Sequence, residues 1–463
     1  MEEKTITKVA FWQLLGKFAL QGIAFVTVPI MTRLLNTSEY GYSSLFNSWA
    51  NFVTIFIGLN TYGSISNAII TYDRNELNCY LSSIFTISFI SFFVITLLAL
   101  LFKNVLSAIF GLSTDLCFIL LLYCFSTYTV SFYVAKLDRL KKARSSAIIS
   151  LSMNAITMIV AILCVLIFKD NKVVAKIYGQ TFVHVLYGVI ILVVIYINGK
   201  SFFNVQYWKF CIPLTLPLVF HSLGQLVFTQ SDHIMIQKLM SDSNLGIYSI
   251  VCNLSGVLLI IYGALNTTWL PFYYDFKKNN NIQEILSHSK KYIQLFTVIS
   301  AGFLCLAPEV FKLLAPQEYW SGLKLIPIFC CSYFFGFIYL FPVNFEFFYK
   351  KTFIIPLSTC IVAIVNVVLN FILIKIYGEI GAAFATFISY IIYFFLHFFA
   401  AKYLVHEDFE YKIMNFLPYI LIVMFFSSLY YVFLDKFIII RWIIAGVLAI
   451  YQIAIFVKNK AIF

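Results

Sequence analysis

The feature that most constrains this chain is the recurrence of uninterrupted apolar windows about 20 residues long, the length needed to cross a hydrocarbon core roughly 30 Å thick. About 14 such windows lie between residues 9 and 457. Lipid gives a bare peptide group no hydrogen-bonding partner, so each window must satisfy its backbone internally as a helix or join a closed barrel. The windows are continuously apolar rather than alternating, which selects helices. An all-α polytopic membrane protein is therefore expected. A charged content of only 11% and a mean hydropathy of +0.91 exclude an ordinary soluble domain.

The first window starts after a few polar residues and has no small-residue cleavage site behind it, so it reads as a retained helix. Connections are short, the longest running from about Asp275 to Lys291, which leaves no room for a folded extramembrane domain. Any function is expected between the helices. The formal charge of +12 is distributed unevenly: with loops numbered alternately, 20 basic residues fall on one side and 11 on the other. The positive-inside rule then puts both termini in the cytoplasm, in agreement with an even helix count. The basic clusters at 136–144, 277–291 and 350–351 read as topology signals and contacts with anionic membrane lipids, not as a nucleic-acid surface. Ten cysteines without paired ligand spacing give no expectation of a disulfide or a metal site. No P-loop, zinc motif, nucleophile elbow or acidic pair in an outer loop is present, so no catalytic residue and no cofactor are expected.

The two halves of the chain repeat each other. "RLLNTSEYGYSSL" at 33–45 matches "KLMSDSNLGIYSI" at 238–250 without a gap, at an offset of 205 that also carries Gly58 onto Gly263. Further on, Lys141 and Lys142 answer Lys350 and Lys351 at an offset near 209. A basic residue, a turn and a glycine recur in many helix connections, but an ungapped match of this length favours duplication. Helices 1–6 and 7–12 would then share one orientation, with a pseudo-axis along the membrane normal and a substrate path at the interface of the halves. The expected organisation is a six-helix bundle over 1–200, a second over 201–405, and an appended helix pair over 406–463.

Polar residues fall in stripes on these helices. Gln13, Lys17 and Gln21 stand at i, i+4 and i+8 on the first, one face of a helix, and Ser222, Gln225, Thr229 and Asp232 share one face of the seventh. The offset of 205 superposes the two faces. The second helix carries Ser44, Asn47, Asn51 and Thr54, and the eighth carries Ser249, Asn253 and Gly256. Ionisable groups within membrane helices point at a bundle interior or a wet cavity more often than at lipid. Lys17 lines such a cavity or snorkels to the cytoplasmic headgroups. Asp232 is a structural partner for His233 or Lys238, or a protonation or cation site. His184, His221 and His397 read as core histidines, with His221 beside the helix 7 stripe, and Glu346 reads as an i,i+4 partner of Lys350.

The stretch "PIMTRLLNTSEYGYSSLFNSW" resembles the end of helix 1 and start of helix 2 in the polysaccharide-transporter branch of the multidrug/oligosaccharidyl-lipid/polysaccharide (MOP) exporter superfamily. "QSDHIMIQKLMSDSNLGIYSI" is similar to the matching region at helices 7–8, and "YGEIGAAFATFISY" to the start of helix 12. The resemblance covers helices 1–12 in order and implies a fold like that of the multidrug (MATE) transporters. It implies a Wzx-type flippase of a bacterial inner membrane, carrying undecaprenyl-diphosphate-linked oligosaccharide, O-antigen or capsule units, by alternating access with proton or sodium coupling. Partners under this reading are the lipid-linked glycan, an O-antigen polymerase and a chain-length regulator. Gln13, Lys17, Gln21, Asn47, Asn51, His221, Ser222, Gln225 and Thr229 are then candidates for the substrate cavity, with Lys17 a partner for the diphosphate or an acidic sugar, and Asp232 the coupling candidate. The alternatives are a cation-coupled multidrug exporter of the same superfamily and a membrane polymerase or glycosyltransferase. Substituting Lys17 with alanine is expected to lower surface glycan while the protein stays folded. Unchanged glycan output would assign Lys17 to the headgroups.

Overall fold

The computed structural model describes residues 2–405, 407–433 and 437–459, with side chains throughout except at 2–11, 14, 17, 74 and 456–459. No strand occurs among the described residues. The helices form two compact units, residues 1–226 and 227–463. In the first, α1 (Glu2–Leu34), α2 (Thr37–Gly58), α3 (Ile65–Thr71), α4 (Arg74–Leu101), α5 (Lys103–Phe110), α6 (Thr114–Arg139), α7 (Ala143–Ile167) and α8 (Lys172–Gly199) precede α9 (Val205–Leu239), which contains the boundary. The second continues with α10 (Asp242–Lys278), α11 (Ile282–Leu314), α12 (Ile326–Ile338), α13 (Leu340–Phe348), α14 (Ile354–Tyr377), α15 (Glu379–Tyr403), α16 (Leu417–Phe433) and α17 (Ile438–Asn459).

Among the described residues 11 helices are long and apolar enough to span a membrane alone, and α2 with α3 makes a twelfth span bent by 55°. The expected windows at the first and thirteenth positions supply shorter apolar helices, Phe18–Leu34 and Leu417–Phe433.

The repeat is visible in local geometry. Asn36 caps α2, its Oδ1 accepting from the Glu39 backbone N–H at 2.9 Å while Glu39 Oε2 accepts from the Asn36 N–H at 2.9 Å. At the same offset, Ser241 caps α10 by accepting from the Asn244 N–H at 3.2 Å. Both α6 and α13 end in one turn type: Lys141 (φ 59°) and Lys350 (φ 58°) take the left-handed conformation. Lys142 N–H then donates to Leu137 O at 2.8 Å and Lys351 N–H to Glu346 O at 2.9 Å, which satisfies carbonyls at each helix end.

The halves differ at the paired glycines. At Gly58 helix α2 stops, and Leu59 (φ 47°) and Asn60 (φ 50°) turn the chain into α3. A Cβ on Gly58 would overlap the Tyr128 ring from α6, so the helices approach closely there. The Gly58 carbonyl at the break is bound, Ser88 Oγ donating to it at 3.0 Å, and beside it the side chains of Thr61 and Tyr128 meet, Oγ1 to OH, at 2.6 Å. Asn60 Nδ2 donates to Leu218 O at 3.0 Å and Ser222 Oγ at 2.8 Å on α9. At Gly263, in contrast, α10 continues unbroken and a Cβ would meet nothing within 4 Å.

The appended pair packs on α11. Buried Arg441 of α17 meets Glu309 in a bidentate pair at 2.6 and 3.1 Å and donates to Cys305 O at 3.2 Å, so its guanidinium does not face lipid unpaired. From the glycine contrast, Gly58→Ala is expected to destabilise the protein by about 1–3 kcal/mol through overpacking. Gly263→Ala should be neutral or slightly stabilising; denaturation of the two variants in detergent measures both.

Candidate functional site

Near the end of α9 the stripe read from sequence ends on Asp232, which is 5% exposed. An ionised carboxyl at that depth in a membrane helix requires donors or a counter-charge. Three donors reach it: the His233 backbone N–H at 2.8 Å and His233 Nδ1 at 2.9 Å both bind Oδ1, and the Tyr248 hydroxyl binds Oδ2 at 2.5 Å. Tyr248 comes from α10 and is fully buried. His233 is therefore a partner of Asp232, as one reading of the sequence expected.

The same carboxyl lines a cavity of about 240 Å³ with Thr229, Gln230, His233, Cys252, Asn253, Tyr333, Thr386 and Tyr390. That volume holds several waters beside polar groups able to bind them. Close to Asp232 in sequence, Ser231 Oγ donates to Asn366 Oδ1 at 3.1 Å, and Asn366 in turn reaches Ser389 at 3.2 Å and receives Asn370 Nδ2 at 2.9 Å. Asn370 Oδ1 and Thr386 Oγ1 are buried without a hydrogen-bond partner. A carboxylate, hydroxyls and amide oxygens are hard ligands, suited to a proton, a water or a small hard cation and not to a soft metal. No group of three or more His, Cys, Asp or Glu side chains able to hold a metal ion occurs among the described residues.

The other candidates fall in both units. Gln13, Asn47, Asn51 and Gln225 are exposed, Gln21, His221 and Ser222 half-buried, all in the first unit. Lys17 sits on α1, but its side chain lies outside the described residues. On α2 the polar stripe occupies the side away from the packed residues: Asn47 and Asn51 are exposed while Leu45, Phe46, Ala50 and Val53 are buried. Thr229 and Asn253 are exposed in the second unit, and the cavity brings Thr229 and Asp232 together. Ser222 is held by Asn60, and His221 Nδ1 is buried without a partner.

One sequence reading is corrected and another, of His184 as a core histidine, is met. Glu346 does not serve as a surface partner of Lys350; it is fully buried and faces His397. His184 is satisfied by Thr127, 2.8 Å from its Nδ1. Tyr248, Asn366, Asn370 and Thr386 escaped the sequence reading, although Asn366 and Asn370 stand at i,i+4 in an apolar window and the stripe test applied to α9 would have marked them.

The sequence matches the family model described as "Polysaccharide biosynthesis protein" over residues 6–277. It is 24% identical over 349 residues to an "Uncharacterized membrane protein" of Haemophilus influenzae, covering 73% of this chain and 83% of that protein. Among solved structures, one titled "Lipid II flippase MurJ, inward closed conformation" superposes with a TM-score of 0.74 at 16% identity, over 96% of this chain and 98% of that one. An inward-facing multidrug resistance MATE family transporter of the MOP superfamily matches with a TM-score of 0.61 at 13% identity, over 82% of this chain and 94% of that one. These identities establish a shared fold. The family match, the all-helical membrane architecture and the repeated halves together place this chain in the polysaccharide biosynthesis protein family, with the fold of the MOP exporter superfamily.

Proposed function

We propose that this protein is a flippase that moves undecaprenyl-diphosphate-linked oligosaccharide, an O-antigen or capsule repeat unit, from the cytoplasmic to the outer leaflet of a bacterial inner membrane. The observation that carries this reading is the polar face of α2, Asn47 and Asn51, left exposed in a span whose other side is packed. Such a face is costly against lipid and favourable against a hydrated glycan head. The polysaccharide family match and the similarity to a protein titled a lipid II flippase support a lipid-linked substrate. In this mechanism the diphosphate-sugar head follows the polar faces while the polyprenyl tail stays in lipid. Lys17 offers a counter-charge to the diphosphate, and both termini lie in the cytoplasm, as the 20 against 11 division of basic residues favours. A polymerase and a chain-length regulator would receive the exported units.

Asp232 is the coupling candidate because it combines a buried carboxyl with access to a polar cavity. Binding a proton or sodium ion there would exchange the Tyr248 and His233 contacts for new ones and bias alternating access. The second reading, a cation-coupled multidrug exporter, draws on the MATE similarity, which covers less of the chain and superposes less closely than the flippase match.

Deleting the gene is expected to leave lipid-linked repeat units accumulated on the cytoplasmic face of the membrane. Accumulation of single units already translocated would indicate a polymerase instead, and unchanged glycan with altered drug tolerance would favour the exporter. For Asp232→Asn, transport into vesicles should lose its dependence on an imposed proton or sodium gradient; retained dependence removes Asp232 from the coupling step.

A further inference from the structure

Helix α15 carries Thr386, Tyr390, Tyr393 and His397 at spacings of four, three and four, a single face of the helix. Its first two members line the cavity that holds Asp232. At the other end His397 Nδ1 lies 2.9 Å from both carboxyl oxygens of Glu346 on α13, and both side chains are 0% exposed. Between them the Tyr393 ring stands 4.8 Å from the His397 ring, and its hydroxyl is 2.9 Å from Thr359 Oγ1. Phe228 packs on both Tyr390 and Tyr393, at 4.9 and 5.8 Å. At 1.5 Å per residue the face from Thr386 to His397 is about 16 Å long, roughly half the hydrocarbon thickness.

Glu346 has no ion partner but His397 among the described residues. The titratable neighbours are Tyr339 and Tyr393, with Tyr262 of α10 beside Tyr339 and Tyr333 of α12 on the cavity. Lys277 of α10 is engaged elsewhere, 2.8 Å from Glu410, and α14 contributes the uncharged Thr359. His397 Nε2 is buried without a partner. A pair serving only to tie α13 to α15 would gain from satisfying that nitrogen, since an unmet buried polar atom is costly. An open ring nitrogen opposite a carboxylate-bound one is instead the arrangement of a proton relay.

We infer that Glu346 and His397 form a second proton-binding site, supplied from the Asp232 cavity along the Tyr390–Tyr393 face of α15. The inference rests on the reading of the protein as an ion-coupled flippase and selects the proton as the ion. A proton arriving through water or a tyrosine hydroxyl forms the Nε2–H bond of His397. The Nδ1–H bond then breaks as that proton passes to Glu346, where an O–H bond forms. The ring stays neutral with its tautomer exchanged, and the pair changes from one negative charge to none. Release reverses both transfers.

Infrared difference spectra of the full chain in lipid nanodiscs, taken across the histidine titration range, read this directly through the C=O band of a protonated carboxyl. The expected result is a band that Glu346→Gln removes and His397→Gln shifts. A spectrum that Glu346→Gln leaves unchanged overturns the site; should that variant not fold, an unshifted spectrum in His397→Gln does the same. After a rapid pH jump, Tyr393→Phe is expected to slow the appearance of the Glu346 band at least about tenfold, and an unchanged rate overturns the route along α15. Because no glycan is present in these spectra, a missing band refutes the proton site and leaves the flippase reading standing. A normal band together with no accumulation of lipid-linked units in the deletion strain refutes the flippase reading alone.

Discussion

Everything in this molecule answers to the cost of leaving a polar group unmet in an apolar medium. A continuous helix satisfies its own backbone, so the long spans need nothing further. Where the chain departs from a helix, partners accumulate. At the break after Gly58, Ser88 binds the Gly58 carbonyl, Thr61 and Tyr128 pair beside it, and Asn60 ties the turn to α9. Its repeat mate at Gly263 stays helical, and the hydroxyl that reaches its carbonyl, Thr267 Oγ1 at 2.8 Å, comes from the next turn of the same helix. The two glycines thus sit in different local structures, Gly58 at a helix end against Tyr128 and Gly263 inside a continuous helix.

Charges obey the same rule. Arg441 is matched by Glu309 and Lys277 by Glu410, each pair joining elements distant in sequence. Asp232 differs because its partners are a neighbouring histidine and a tyrosine hydroxyl and because it also borders a cavity. Hydroxyl and imidazole donors hold a carboxylate while leaving its charge free to change, whereas a guanidinium pair such as Arg441–Glu309 holds both charges fixed. That contrast separates the ion pairs that fix elements of the second unit from the carboxyl that borders its cavity.

Much of the architecture is legible in sequence because the relevant signals are local. Window length marked the spans, and the offset of 205 located both α1–α2 and α9–α10 junctions, including the capping residues Asn36 and Ser241. The stripe on α9 led to Asp232. The tyrosines around it were hidden in a chain with 30 of them, since no periodicity distinguishes one that faces a carboxyl from one that faces lipid. Glu346 was misread for a related reason: Lys350 is its helical neighbour in sequence, while His397 lies 51 residues away.

The amino-acid sequence by itself determined that the chain is a bundle of membrane-spanning helices with a duplicated plan, because hydrophobic length and periodicity act within one element. Tertiary structure alone decided which polar atoms meet, where α2 breaks and which side of α15 links a cavity to a buried acid. Those outcomes depend on approach between helices far apart in the chain, and the energy of a buried charge or hydroxyl depends on the partner that packing brings to it.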